Sequence, residues 1–121
     1  MGRYVDGFVL PVPKKNLKAY LKMARWGGEL WMKHGALEYH EAMGDDLKTT
    51  FGLPFTKLAK TRPGETVFFS WIVYKSKAHR DAVNARVMKD PAMGECAPKK
   101  MPFDVKRMAY GGFKILVEAG R

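Results

Sequence analysis

The sequence predicts an α+β domain of order β-α-β-β-α-β, a four-stranded antiparallel sheet with both helices on one face. Three observations predict it. Two stretches, "RYVDGFVLP" at 3–11 and "ETVFFSWIVY" at 65–74, have the composition and alternation of strands. Each is followed by a stretch with helical features. The stretch "KRMAYGGFKILVEA", 106–119, returns to strand character at the end. That order is the ferredoxin-like split unit.

Each element has its own justification. In the first strand Tyr4, Asp6, Phe8 and Leu10 share one face, and Val5, Gly7 and Val9 the other. Pro13 suits a helix start, and a helix is expected over 14–34. Leu17, Tyr20, Leu21, Ala24 and Trp31 form its apolar stripe. Gly27 and Gly28 weaken it, which makes sense if they let it lie close on the sheet, and Gly35 has the position of a C-terminal cap. "ALEYHEAM", 36–43, is the second strand. Residues 44–64 are a long mixed segment, the kind that is usually functional or mobile. Ser76 is a good N-cap for a helix over 77–89, which stops at Asp90-Pro91. "AMGECAPKKMPFDVK" is expected to be irregular with one short helical turn, and the last strand to run over about 107–118.

The third strand is apolar on both faces. Val67, Phe69, Trp71 and Val73 point one way, and Phe68, Ile72 and Tyr74 the other, with Ser70 between them. Two helices cover only one face. Burying a large side chain stabilises by roughly 1.5–3 kcal/mol, so several left wet would be costly. The expected cover is the same face of a second copy in a two-fold homodimer. Gly111 and Gly112 fit this picture. They lie inside a strand with no helix after it, so a bulge or close packing is expected rather than a phosphate cradle.

Size, charge and cysteine content narrow the function. The 121 residues suffice for one domain, taken as 1–121, with a modest core. There is no membrane-length apolar run and no signal-peptide pattern, so a cytoplasmic protein with no membrane association is expected. Cys96 is the only cysteine, which excludes an internal disulfide and a cysteine-rich zinc site; no Cys–His signature surrounds it. Lys plus Arg number 22 against 12 Asp plus Glu, a net charge of +10 that raises RNA binding as an alternative. Lys14, Lys18, Lys22 and Arg25, however, read as a solvated helix face, and "TVFFSWIVY" lacks the basic residue and glycines of an RNA-recognition strand.

The candidate chemistry is sparse. Asp6 is an acid or base candidate if it lies in an apolar cavity; otherwise it partners Arg3 or Arg107, or stays wet at a strand end. His34, Glu38 and His40 form the only cluster of metal-ligand type. Two ligands on one strand face are too few for zinc, so a solvated acid–His pair is expected and no metal. His40 is a further catalytic candidate. His79, in the first turn of the second helix, is expected to be exposed, and Ser70 to be a small core residue. Lys99, Lys100, Lys106 and Arg107 bracket "MPFD" and either clamp an anion or solubilise a loop. No cofactor motif is present.

Together "YVDGFVLPVP", "HGALEY", "GDD", "FSWIVY", "RDAVN", "VMKDP", "MPFD" and "KRMAYGGF" resemble the YbaA-like family of domains of unknown function, over nearly the whole chain. The resemblance implies the dimeric α/β-barrel variant of the ferredoxin-like fold, in which two sheets face each other. It carries no catalytic residues over. Some relatives bear a label referring to signal recognition particle RNA, which names an RNA and not a protein activity. The favoured expectation is a small-molecule-binding protein or small enzyme with a pocket in a dimeric barrel, taking an apolar or aromatic metabolite. Tyr4, Phe8, Phe69, Trp71 and Tyr110 are the expected walls, with Asp6, His40 and Arg107 as polar handles. RNA binding and a purely structural or regulatory dimerisation module are the alternatives.

Overall fold

The two strands richest in apolar residues on both faces form the centre of the sheet. In the computed structural model, which describes residues 2–120, these are β1 (Tyr4–Pro13) and β3 (Glu65–Tyr74). They pair antiparallel from Tyr4↔Tyr74 to Pro13↔Glu65. β2 (Glu38–Met43) borders β3 and β4 (Ala109–Lys114) borders β1, both antiparallel, giving the order β2-β3-β1-β4. Pro11 and Pro13 lack an N–H, and they lie beyond Val9, where the pairing with β4 ends.

Helix α1 (Leu17–Lys33) follows a 3-10 turn at Lys14–Asn16. It buries Tyr20, Ala24, Gly27 and Leu30, the last absent from the expected stripe. Its glycines meet the expectation of close approach: a Cβ at Gly27 would lie 2.9 Å from Tyr39 Oη, and one at Gly28 3.0 Å from Tyr39 Cδ1. Gly35 ends it at φ +110°, a conformation L side chains rarely adopt. Helix α3 (Lys77–Lys89) opens on Ser76, whose hydroxyl accepts the His79 N–H at 3.1 Å. It buries Val83 and Val87.

Both helices lie over the face that presents Tyr4, Asp6, Phe8 and Leu10 of β1 and Phe68, Ser70, Ile72 and Tyr74 of β3. The core beneath them has two parts. One gathers Tyr4, Leu30, Ile72, Tyr74, Val83 and Val87, the other Leu10, Val12, Tyr20, Ala24, Phe68 and Phe103. Phe8 packs against both.

Several expected boundaries shift. β2 starts two residues later than expected, because the end of α1 and its Gly35 turn occupy the approach. The 44–64 segment holds the one-turn helix α2 (Phe55–Leu58), whose Phe55 ring lies 6.2 Å from that of Phe69. The 90–108 region holds α4 (Ala92–Cys96) and a 3-10 turn at Val105–Arg107. β4 is shorter than expected. β1 begins at Tyr4, so past Lys114 little remains to pair with; the Ile115 N–H reaches the Arg3 carbonyl at 3.1 Å, and Leu116 and Val117 are exposed. Among the described residues, no helix is long and apolar enough to cross a membrane.

Candidate functional site

Alternation along the strands sorts the candidate residues. The register sets Asp6 opposite Ile72 and Gly112, and Phe8 opposite Ser70 and Tyr110, all on the helix side. It sets His40 opposite Trp71, and Ala42 opposite Phe69, on the uncovered side. The expected pocket therefore does not assemble as one set. Tyr4, Asp6, Phe8 and Tyr110 share the helix side, while Phe69, Trp71 and His40 lie across the sheet from them.

Two hollows occupy the gap between α1, α3 and the sheet. The larger, of about 260 Å³, lies between α1 and the middle of the sheet, with Phe8, Trp31, Tyr39 and Phe103 among its walls. The second, of about 210 Å³, opens toward β4 and Tyr110, with Asp6, Arg80, Asn84 and Met88 around it. Phe8, Trp31 and Ile72 line both, so they are neighbouring ends of one cleft.

The outer end is built on Asp6. Asp6 is buried, 7% exposed, and its carboxylate accepts from Arg80 Nη1 at 2.6 Å. The partner is thus Arg80, not Arg3 or Arg107: Arg80 enters from α3 above the same sheet face. Burial raises the Asp6 pKa, and the guanidinium opposes that rise without cancelling it. Arg80 also sits 5.0 Å above the Tyr4 ring. That ring fills the space over Gly112, where a Cβ would come within 2.7 Å of Tyr4 Cε2. The register runs unbroken through Gly111 and Gly112, so the pair marks close packing rather than a bulge. Asn84 Oδ1 accepts the Trp31 indole N–H at 3.1 Å and fixes that ring against the cleft.

The inner end is built on Glu41, which the sequence reading did not single out. Glu41 Oε1 accepts from Tyr20 Oη at 2.7 Å and from Ser70 Oγ at 2.9 Å. Tyr39 Oη reaches Oε2 at 3.4 Å. Burial, then the charge of Glu41, hold both tyrosine hydroxyls far above their usual titration range. The signals were present: Glu41 shares a strand face with Tyr39, and Arg80 and Asn84 are four apart on one helix face. What was missing was which strand partners face them. Ser70 is buried, as expected of a small core residue, and its hydroxyl has a specific partner.

The other candidates have different surroundings. Arg107 is 11% exposed and grips both Glu65 oxygens at 2.7 Å, with Asp104 Oδ2 at 2.9 Å. It ties the turn before β4 to the start of β3, away from the cleft. Lys99, Lys100 and Lys106 are exposed. His40 and Glu38 form the expected acid–His pair at 3.0 Å, while His34 goes to Asp90 at 2.7 Å, so the three do not converge. His40 also stacks on Trp71. His79 is half-buried rather than exposed, because its Nδ1 accepts the Lys75 N–H and its ring meets Tyr74 edge-on. The side chain of Cys96 lies outside the described residues. Among the described residues no group of His, Cys, Asp or Glu has the arrangement of a metal site.

Residues 3–105 match the model of a family described as "Protein of unknown function (DUF1428)". The chain belongs to this family. Its similarity to curated relatives is extensive: an "Uncharacterized protein YbaA" of Escherichia coli (strain K12) is 42% identical over 116 residues, covering 96% of this chain and 98% of that protein. The protein of the same description in Shigella flexneri matches to the same extent. Among solved structures, a dimeric ferredoxin-like protein from an uncultured marine organism superposes with a TM-score of 0.59 at 10% identity, covering 98% of this chain and 100% of that one. That likeness supports the ferredoxin-like fold for this DUF1428 member.

Proposed function

We propose that the protein is a homodimeric small-molecule-binding protein that takes a compact apolar or aromatic metabolite into the cleft between its helices and its sheet. The observation that carries this reading is the cleft itself. Its walls are aromatic and aliphatic, and its few polar groups stand at the two ends, which is the usual composition of a ligand site. The site differs from the one expected between two facing sheets, since the hollow lies under the helices of a single chain.

The homodimer is supported by the other face of the sheet. Phe69 is 48% exposed and Phe113 60%, and Val5, Val9 and Trp71 share their face. Among the described strand residues of that face there is no Lys or Arg, and Glu38 is acidic. Such a face suits a second copy better than a polyanion, which weighs against RNA stacking there despite the net charge. The marine ferredoxin-like protein is itself described as dimeric.

Two measurements test the reading. Light scattering should give twice the chain mass for the wild type and the mass of one chain for Phe69→Lys. NMR titration with small aromatic compounds should shift the Trp31 indole and the Met88 methyl, and Met88→Trp at the cleft mouth should weaken that binding. A monomeric wild type would remove the dimer. Shifts confined to Phe69, Trp71 and Phe113 would move the ligand to the other face and overturn the cleft reading.

A further inference from the structure

The inner end of the cleft has a composition of its own. Aromatic rings from four segments, Phe8, Tyr20, Trp31, Tyr39 and Phe103, surround it, and three methionine side chains complete the lining. Among the described residues of this box Glu41 is the only carboxylate, and neither Lys nor Arg contributes to the walls. His40 belongs to the lining strand, but its ring stacks on Trp71 on the opposite face and pairs with Glu38.

Glu41 is held but not saturated. Tyr20 and Ser70 both donate to Oε1, which fixes the orientation of the carboxylate. Oε2 receives only the long 3.4 Å contact from Tyr39. An ionised carboxylate offers about four acceptor positions, so Oε2 keeps room for a further donor. Glu41 is also reached from outside. A surface groove of about 600 Å³ between α1 and β2, with Arg25 and Glu29 among its walls, also reaches Tyr39 and Glu41, the pair that lines the inner site. Gly27 and Gly28 keep the helix clear of the Tyr39 ring at this partition.

We propose that this inner site recognises a compact organic cation, an aromatic or aliphatic amine whose charged head lies against Glu41 Oε2 and the surrounding rings. Aromatic faces attract a cation through their quadrupole, and the attraction is strongest where water is excluded. A fixed carboxylate with a spare acceptor adds a charge-assisted hydrogen bond. Among the described lining residues an anion would find no Lys or Arg, and a neutral molecule would leave the charge of the carboxylate uncompensated. The proposal rests on the cleft reading above and adds the charge of the ligand.

The test compares phenethylamine, protonated at neutral pH, with its neutral counterpart 2-phenylethanol. Both are titrated into the wild-type protein and Glu41→Gln at about 0.15 M salt, where the Debye length of about 8 Å limits the influence of the protein's net charge. Shifts of the Trp31 indole and of the Met23 and Met108 methyls give the site and the Kd. The amine is expected to bind the wild type at least about ten-fold more tightly than the alcohol, as a charge-assisted contact implies. In Glu41→Gln that preference should shrink to about two-fold or less, with the alcohol unaffected. Equal binding of the two compounds to the wild type overturns the cation proposal and leaves the cleft reading standing. Binding of neither overturns both. The wild-type comparison needs no variant, so it decides the matter even if Glu41→Gln folds poorly.

Discussion

Gly112 and Gly111 are neighbours with opposite duties. Gly112 faces the helix side and lies under the Tyr4 ring, so an added Cβ would overlap ring carbon as well as the hydroxyl. Gly111 faces the other side, where a Cβ would meet only Phe113 at 3.9 Å. Gly112→Ala should therefore destabilise by about 1–3 kcal/mol through overpacking, and Gly111→Ala by clearly less within one chain. Thermal melts of the two variants check the order; equal losses would contradict it. Asp90 supplies a second residue-level prediction. The Ala92 N–H at 2.9 Å, then His34 and Lys33, hold its carboxyl well below the usual carboxylate range. A depressed folded pKa contributes stability that is complete above the unfolded value, about 3.9, and is lost as pH falls from there toward the folded one. Asp90→Asn should melt below wild type at neutral pH, with a gap that holds down to about pH 5 and closes below about pH 4. A gap that widens under acid would reverse the assigned sign.

Individual elements depend on their ends. Helix α3 is polar over much of its surface and buries only Val83 and Val87 from its own face, so its start matters. The Ser76 hydroxyl satisfies the His79 N–H, and Ser76→Ala should cost about 1 kcal/mol in urea unfolding. No loss would mean that the cap is dispensable. Its other face is tied to α1 by Arg86, which donates to the His34 carbonyl at 3.2 and 2.6 Å, beside the Gly35 turn. These attachments keep Arg80 and Asn84 of α3 over the cleft opposite Trp31 of α1. The sheet contributes in the same way: the pairing of β2 with β3 brings Glu41 opposite Ser70, and so sets the carboxylate where both hydroxyls reach it.

On the scale of the whole molecule, the two sheet faces have different fates. One is covered by helices and encloses the cleft; the other carries Phe69, Trp71 and Phe113 and the expectation of a second copy. The net charge of +10 is distributed mostly over helix surfaces and loops. Any RNA affinity should therefore be electrostatic. It should fall steeply between about 50 and 200 mM salt, with no preference among RNA sequences, in a filter-binding or anisotropy titration. A sequence-selective complex that survives the higher salt would favour recognition over charge.

Much of the fold was legible because it rests on periodicity. The apolar alternation of β3, the Ser76 cap, the Asp90-Pro91 stop and the Gly35 turn are local signals, and each places an element by itself. The second apolar face of β3 was equally plain, since alternation needs no knowledge of neighbours. The site was less so. Tyr4, Asp6, Phe8 and Tyr110 were candidates in sequence and share the helix side, but Phe69, Trp71 and His40 lie across the sheet, and Arg107 serves a buried ion pair. Asp6 meets Arg80 across 74 positions of chain, and Glu41 meets Tyr20 and Ser70 across 21 and 29. Partnerships of that kind depend on strand order, register and the descent of each helix onto the sheet. Local pattern determined which residues are strand, helix and turn; only tertiary structure decided which charges and rings share a cavity, because that choice is made by contacts distant in sequence.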